Sequence, residues 1–299
     1  MATEHQFKPL VSEQLLVPAE DLPSDGDRLW RGHRMIWKRP ASWVPQLSAW
    51  LAPRFRRDGM RRLKPGLFRD LCWDDLDWSR TLEKCLTADI DYHTEELAEA
   101  IEPAILRTYH GCRTADAGIY HREGLHTHDR PAMIKRLQAI VEAHPELQAE
   151  KDRLPEAIAA VDNKLDQGRV FVVADDQALI TEAAHYLIYG SEWISSVLAF
   201  HRHVLKKIGA PTLLEIDMPL IMSSFAARRE FATQMLREWT RLTCNQPDWS
   251  APINFTFTLR VNIPPECVIR HSHPRELVDP LAHFSTYRVL KAECANCRS

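Results

Sequence analysis

Several familiar signatures are missing from this chain of 299 residues, and each absence narrows its chemistry. The sequence contains neither the GxxxxGK[ST] pattern of a P-loop nor the GxGxxG pattern of a Rossmann dinucleotide site. It also lacks the GxSxG turn of many serine hydrolases and the HExxH helix of zinc proteases. No apolar run reaches the eighteen residues of a membrane helix, so we expect no membrane partner. The composition, 45% hydrophobic and 26% charged, is that of a globular protein.

Secretion and a disulfide framework are both disfavoured. The first residues carry no basic stretch followed by an apolar core, which predicts a cytoplasmic protein. Seven scattered cysteines suit reduced thiols better than paired ones. The closest pair, Cys294 and Cys297, supplies only half of a zinc site, because the sequence shows no second CxxC.

Fourteen histidines raise the question of a metal centre. Three groups are close in sequence: His121 with His126 and His128, His201 with His203, and His271 with His273. Two histidines at i and i+2 share one face of a strand but point apart on a helix. No group has the i, i+4 spacing of a helical zinc pair or a complete ligand set, so we expect no metal.

The charge is unevenly distributed, although its net value is only −3. Residues 28–70 contain twelve Lys or Arg and two acids, whereas residues 71–102 contain ten acids and two basic residues. Tryptophans between the basic residues suggest a nucleic-acid surface that stacks on bases. The other interpretation is that two neighbouring elements attract one another while the aromatic rings cover a core. No base-reading motif accompanies the charge, which favours the second interpretation.

Periodicity and turn residues predict an α+β chain in three parts: a polar arm at 1–27, a mostly helical region at 28–102, and an α+β domain at 103–299. Predicted helices cover residues 93–106, 131–165, 177–208 and 225–243. Predicted strands cover residues 169–176, 211–221, 253–263 and 283–290.

The most informative stretch is YHGCRTADAGIYHREGL, residues 109–125. It predicts the end of a short strand, then a polar loop and a short helix that stops at Gly124. One interpretation is an ordinary strand-to-helix turn, which periodicity alone favours. The other is a ligand-binding corner in which Gly111 lets a ligand approach the backbone.

This stretch resembles the first motif of the ADP-ribosyltransferase fold, in members with a His-Tyr-Glu arrangement. The matching residues are Tyr109, His110, Gly111, Cys112, Gly118, Ile119, Gly124 and Leu125. RVFVVADD with the helix after it resembles the second strand and helix of that fold, and VNIPPECVI resembles a strand end frequent in it. The resemblance covers roughly residues 105–290, with the first motif its one specific part. It implies a core of antiparallel strands with flanking helices, preceded by a mostly helical extension.

The resemblance further implies an NAD-dependent transferase of bacterial type, such as a toxin or effector. The enzyme would use NAD as co-substrate, pass ADP-ribose to a macromolecular acceptor and release nicotinamide. Carried over, Tyr109, His110 and Gly111 bind the cofactor: His110 a ribose hydroxyl and the Gly111 backbone the nicotinamide amide. The forked guanidinium of Arg113 suits a pyrophosphate or the acceptor. Phe171 falls near the second-motif Tyr, where it cannot hydrogen-bond.

The family also needs an acid beside the oxocarbenium-like transition state, as glycoside cleavage does. The strand INFTFTLRV has none at the expected place, which leaves Glu192, Glu215 and Glu266 as candidates. We favour Glu192, because Gly190 and Ser191 give a ligand room beside it. The nearby rings that could stack on nicotinamide are Tyr186, Tyr189 and Trp193.

These departures from the family pattern keep a rival hypothesis open. The chain would then be a non-enzymatic NAD- or nucleotide-binding protein, or an adaptor, on a degenerate version of the fold. A metal-dependent hydrolase built on the histidine pairs is a weaker third reading. The acceptor is nucleic acid or protein, and a regulatory or antitoxin-like protein is a further expected partner.

Overall fold

The computed structural model describes residues 26–63, 77–161, 167–245, 253–289 and 294–297, so the predicted arm at 1–27 lies almost wholly outside the described residues. The fold is α+β with mostly antiparallel pairing. Two compact units are formed by Met1–Leu106 with Pro219–Ala251 and by Arg107–Met218 with Pro252–Ser299. None of the described helices is long and apolar enough to cross a membrane.

The described α-helices are α1 (Gly26–Trp30), α2 (Val44–Leu51), α3 (Gly59–Arg62), α4 (Asp77–Glu83), α5 (Ile90–Ala100), α6 (Gly118–Glu123), α7 (Arg130–Ala143), α8 (Leu154–Ala160), α9 (Asp176–Thr181), α10 (His185–Ile188), α11 (Glu192–Leu198) and α12 (Phe225–Asn245). The described strands are β1 (Arg34–Met35), β2 (Ile105–Thr114), β3 (Val170–Val173), β4 (Ala210–Pro219), β5 (Thr256–Leu259), β6 (Val268–Ser272), β7 (Glu276–Asp279) and β8 (Ser285–Arg288).

The tryptophans of the basic segment belong to the core of the first unit. Trp30, Trp37, Trp43 and Trp50 are all buried, and the rings of Trp37 and Trp43 stack on each other with centroids 5.1 Å apart. Stacking of these tryptophans on nucleic-acid bases is therefore wrong as an interpretation, because their faces are already covered. An ion pair of 3.1 Å between Arg54 and Glu96 joins the basic and acidic segments, as the attraction between neighbouring elements requires.

The second unit is built on a sheet with the order β5-β3-β2-β4-β6, in which β2 is central. Strand β3 pairs antiparallel with both β2 and β5, and β4 pairs antiparallel with β6. Strands β7 and β8 form a separate antiparallel pair. Because β2 continues to Thr114, His110 lies within the strand and not at its end, which corrects the expected boundary.

The prediction of one or two long helices over residues 177–208 is wrong. The structure breaks it into α9, α10 and α11, followed by 3-10 turns over Ala199–Lys207. Gly190 has a φ of +79°, which lies outside the helical region. The Ser191 hydroxyl then accepts a hydrogen bond from the backbone N–H of Ile194, so a new helix begins at Glu192.

A half-buried arginine joins two neighbouring strands in the middle of the sheet. Arg107 on β2 bonds Glu215 at 2.8 Å and Asp217 at 2.7 Å, both on the neighbouring strand β4. Arg270 on β6 also pairs with Glu215, at 2.5 Å, but its side chain is 70% exposed. Glu215 thus has one half-buried and one exposed cationic partner, and the half-buried one contributes most of the stabilisation.

We predict that Arg107→Met lowers the free energy of unfolding by about 3 kcal/mol, since it removes the arginine that bonds the buried carboxylate of Asp217 and leaves the buried Glu215 with only the exposed Arg270 as a cationic partner. The matched control is Arg270→Met, which removes the exposed partner of the same carboxylate and should cost far less. Urea unfolding followed by circular dichroism measures both. Equal losses would contradict the assigned difference between the two arginines.

Gly124 closes α6 in a conformation that only glycine adopts readily. Its φ is +79° and its ψ −162°, and a Cβ there would lie 2.1 Å from the carbonyl oxygen of Ile263. The next residue, Leu125, exchanges two backbone hydrogen bonds of 2.8 Å with Ile263. The Gly-Leu ending of the first motif therefore docks on the NIPPE segment.

Gly124→Ala should lower the free energy of unfolding by at least about 1–3 kcal/mol, because strain and a backbone clash add together. Gly168→Ala is the control: this glycine also has a positive φ, of +69°, but nothing lies within 4 Å of an added Cβ. Thermal melts of the two variants should differ clearly. Similar melting temperatures would show that the contact with Ile263 is not tight.

Candidate functional site

The first motif lines a cavity of about 1010 Å³ in the second unit. This volume is at the upper limit of the roughly 300–1,000 Å³ typical of ligand sites. Strands β2 and β3, helices α6 and α7, and the start of α11 supply its walls. The sequence-predicted site residues that it brings together are Tyr109, His110, Gly111, Phe171 and Glu192.

His110 is held in one tautomer by a contact between strands. Its Nδ1 lies 2.9 Å from the carbonyl oxygen of Phe171. Because a carbonyl only accepts, Nδ1 carries the hydrogen and Nε2 keeps a lone pair. Burial lowers the pKa of His110 below its ordinary value, with a smaller contribution from the nearby His128. The ring is therefore neutral at physiological pH and offers Nε2 as an acceptor.

Phe171 contributes its backbone as well as its ring. The ring lines the cavity without a polar atom, while the carbonyl fixes His110. Gly111 is the next residue on β2, and packing favours glycine there in addition to the expected approach of a ligand to its backbone. A Cβ there would approach Leu187 Cγ to 3.3 Å and Leu179 Cδ2 to 3.4 Å, so its backbone packs tightly against two leucines.

Glu192 is the candidate acid that the fold brings to the cavity. It is the first residue of α11, its side chain is exposed, and it lines the same cavity as His110. The hydroxyl of Tyr186 donates to Glu192 Oε2 at 2.6 Å. This contact orients the carboxylate.

The other two acids lie elsewhere. Glu215 is buried and bound by Arg107 and Arg270, so its charge is already compensated. Glu266 is exposed in a 3-10 turn and does not line the cavity. Of the three acids considered, Glu192 alone is among the residues that line the cavity with His110.

Arg113 and Tyr189 are not placed where a bound cofactor could use them. The Arg113 guanidinium donates to the carbonyl oxygens of Lys206, Ile208 and Gly209, so it holds the chain after α11. The Tyr189 hydroxyl donates to Asp279 at 2.7 Å. Both residues border a different cavity of about 20 Å³, which has room for little more than one water. Neither residue is among those that line the larger cavity, so this placement gives no support to the roles expected for them, which are phosphate or acceptor contact for Arg113 and stacking for Tyr189.

Four cavity residues that were not predicted from the sequence lie on one face of α7 or immediately before that helix. Asp129, Ala132, Met133 and Arg136 all line the cavity. Their spacing of three and four residues is that of one helix face, a signal that was present in the sequence. Tyr186 and Trp193, which were expected to stack on nicotinamide, also line the cavity. Arg136 is exposed and is a cationic residue of the cavity lining.

Cys112 is not a nucleophile in this cavity. Burial raises the pKa of its thiol to about 12, although a hydrogen bond with Tyr120 acts in the opposite direction. The thiolate is the reactive form of cysteine, so this thiol is inert at neutral pH. The raised pKa therefore disfavours Cys112 as a nucleophile at neutral pH.

A second group of side chains lies outside the cavity wall. One ligand atom from each of His271, His273, Cys294 and Cys297 can be chosen so that all lie within 4.8 Å of one another. The two cysteines still supply half of a four-residue group, as the CxxC spacing indicates, but the sequence did not show which residues lie beside them. The other half comes from a histidine pair on β6 and just after it, a proximity that the local sequence pattern does not encode.

Neither the family models, nor the curated proteins, nor the solved structures contain a match to this chain. The site's own geometry therefore has to support any functional conclusion.

Proposed function

We propose that the cavity binds NAD and that the chain transfers ADP-ribose from it to a macromolecular acceptor, with release of nicotinamide. The observation that carries the proposal is the shared cavity wall: His110 and Gly111 of the first motif line the same cavity as Glu192. An ADP-ribosyltransferase-like core is the fold we propose for the second unit.

His110 suits the role of ribose ligand through its fixed tautomer. Its Nδ1 hydrogen is committed to the Phe171 carbonyl, so Nε2 accepts a hydrogen bond from a ribose hydroxyl. Since burial lowers the pKa of the ring, this acceptor persists as the pH falls toward the ordinary histidine range. A protonated imidazole would lose it.

Glu192 suits the role of transition-state stabiliser. When the bond between nicotinamide and ribose C1 breaks, its electron pair goes to the nicotinamide nitrogen and positive charge develops on the ribose. A carboxylate beside that charge lowers the barrier. The acceptor then forms a bond to C1 and loses a proton. Tyr186 is a positioning residue, because its hydroxyl holds Oε2 of Glu192.

Arg136 is our candidate for the pyrophosphate. It is exposed and lines the cavity, and its weak contact to the Arg113 carbonyl, at 3.4 Å, leaves most of its guanidinium donors for a ligand. A forked guanidinium binds phosphate oxygens in pairs. This assignment replaces the one made for Arg113.

One observation favours the rival function, NAD or nucleotide binding without turnover. Phe171 presents no hydroxyl to the cavity where the resemblance expects a tyrosine side chain. A site that has lost this donor could retain affinity and lose catalysis. We also propose that the acceptor is a nucleic acid or a protein. A regulatory or antitoxin-like protein is a further proposed partner.

Incubation with NAD tests the proposal directly, by chromatography of released nicotinamide and by calorimetry of NAD binding. We expect Glu192→Gln to reduce turnover by about 10²–10³-fold with little change in NAD affinity, since the carboxylate acts on developing charge. His110→Ala should weaken NAD binding itself.

The matched control is Glu123→Gln, an exposed acid that also lines the cavity and should leave turnover unchanged. Binding without nicotinamide release in the unmodified chain would support the rival function. Absence of NAD binding would contradict the transferase function and the form of the rival function in which the ligand is NAD.

A further inference from the structure

Four ligand-type side chains converge beside α6, outside the candidate NAD site. They are His271, His273, Cys294 and Cys297, with their ligand atoms within 4.8 Å of one another. Cys297 Sγ lies 3.2 Å from His271 Nε2 and 3.5 Å from His273 Nε2. The nitrogen atoms of both rings therefore face the same sulfur.

The fold explains how these residues meet. His271 lies on β6 and His273 follows it by two residues, a spacing that places two side chains on one face of an extended chain. Cys294 and Cys297 flank one 3-10 turn, in which the Cys297 N–H donates to the Cys294 carbonyl at 3.2 Å. This turn brings two sulfur atoms to the two imidazoles.

The turn is fastened to the start of α6 independently of the four ligands. The Ala295 N–H donates to the carbonyl oxygen of Ala115 at 2.9 Å. Asn296 packs on Gly118 so closely that a Cβ at that glycine would lie 2.0 Å from its side chain. The cluster therefore does not depend on the four ligands alone for its position.

Both histidines have their second ring nitrogen occupied, as metal-bound histidines do. His273 Nδ1 lies 2.8 Å from the carbonyl oxygen of Pro211, so it carries the hydrogen and leaves a lone pair on Nε2. His271 Nδ1 lies 3.0 Å from Nε2 of His121. Donation from His271 to His121 leaves His271 Nε2 unprotonated as well.

The ligand set is that of a tetrahedral zinc ion. Bond lengths of about 2.3 Å to sulfur and 2.0–2.1 Å to nitrogen place the ligand atoms of a tetrahedron about 3.3–3.8 Å apart. The distance of 3.5 Å from Cys297 Sγ to His273 Nε2 lies within that range, and the distance of 3.2 Å from Cys297 Sγ to His271 Nε2 lies just below it. Four protein ligands also leave no open position for a reacting water, which indicates a structural ion.

We propose that His271, His273, Cys294 and Cys297 form a structural zinc site that fastens the 294–297 segment to β6 and α6. Binding releases the two thiol protons, and the two thiolates balance the charge of the ion. The site does not take part in the proposed transfer chemistry. A failure of the NAD experiments therefore leaves it intact, and the reverse also holds.

The direct experiment uses the full chain, purified under reducing conditions from zinc-supplemented cells. Elemental analysis by mass spectrometry should give about one zinc per chain, and removal of zinc by a chelator should lower the melting temperature until zinc is restored. Cobalt in place of zinc should give the intense visible absorption of a tetrahedral site with thiolate ligands.

The zinc content of substituted chains tests whether these four residues bind the ion. Cys297→Ser and His273→Ala should each lose most of the zinc, whereas Cys267→Ala and His203→Ala, which alter a cysteine and a histidine outside the cluster, should retain it. Alkylation of the cysteines in the unmodified chain tests the same assignment without any variant that could fail to fold. Cys294 and Cys297 should be protected with zinc and labelled after chelation.

A chain purified without metal that takes up neither zinc nor cobalt would overturn the proposal. A disulfide between Cys294 and Cys297 that persists under those reducing conditions would do the same.

Discussion

The hydrogen bond between His110 Nδ1 and the Phe171 carbonyl is the contact on which the chemistry of the cavity depends. It joins neighbouring strands of the sheet and decides which ring nitrogen keeps a lone pair. Burial of the ring keeps it neutral, so the tautomer persists. Backbone geometry, and not a polar side chain at position 171, therefore prepares His110 for a ligand.

The acid reaches this cavity because a helix is interrupted. An unbroken helix over 177–208 would not begin a new turn at Glu192. The positive φ of Gly190 and the cap supplied by Ser191 restart the helix at that residue. Tyr186, on the preceding helix, then bonds the carboxylate at 2.6 Å. The break is thus part of how the site is assembled.

Local sequence patterns predicted much of the fold. Strands β3, β4, β5 and β8 lie within or near the segments predicted to be strands. Helix α12 closely follows the helix predicted at 225–243. The interruption of the helix predicted over 177–208 was not fully predicted, because it depends on the backbone conformation of Gly190 and on the cap supplied by Ser191. Strand β6 was missed, because its exposed RHS residues lack a clear apolar alternation.

Tyr109, His110 and Gly111 were expected to share a site because they are neighbours in sequence, whereas Glu192, far along the chain, was chosen because Gly190 and Ser191 give a ligand room beside it. The stretch from Tyr109 to Gly111 and Glu192 reached one cavity. Arg113 failed as a ligand contact because three carbonyls more than ninety residues away bind it, a long-range contact invisible in the local pattern. The same limit hid the meeting of His271 with Cys297.

The central claim is that a neutral His110, hydrogen-bearing at Nδ1, accepts a hydrogen bond from bound NAD. Nitrogen NMR of histidine-labelled chain, with His110 assigned by its alanine variant, tests that claim most directly. The account predicts an Nδ1–H tautomer, a pKa of His110 below that of an ordinary histidine, and a shift of Nε2 when NAD is added. An Nε2–H tautomer, or an Nε2 signal that saturating NAD leaves unchanged, would contradict it.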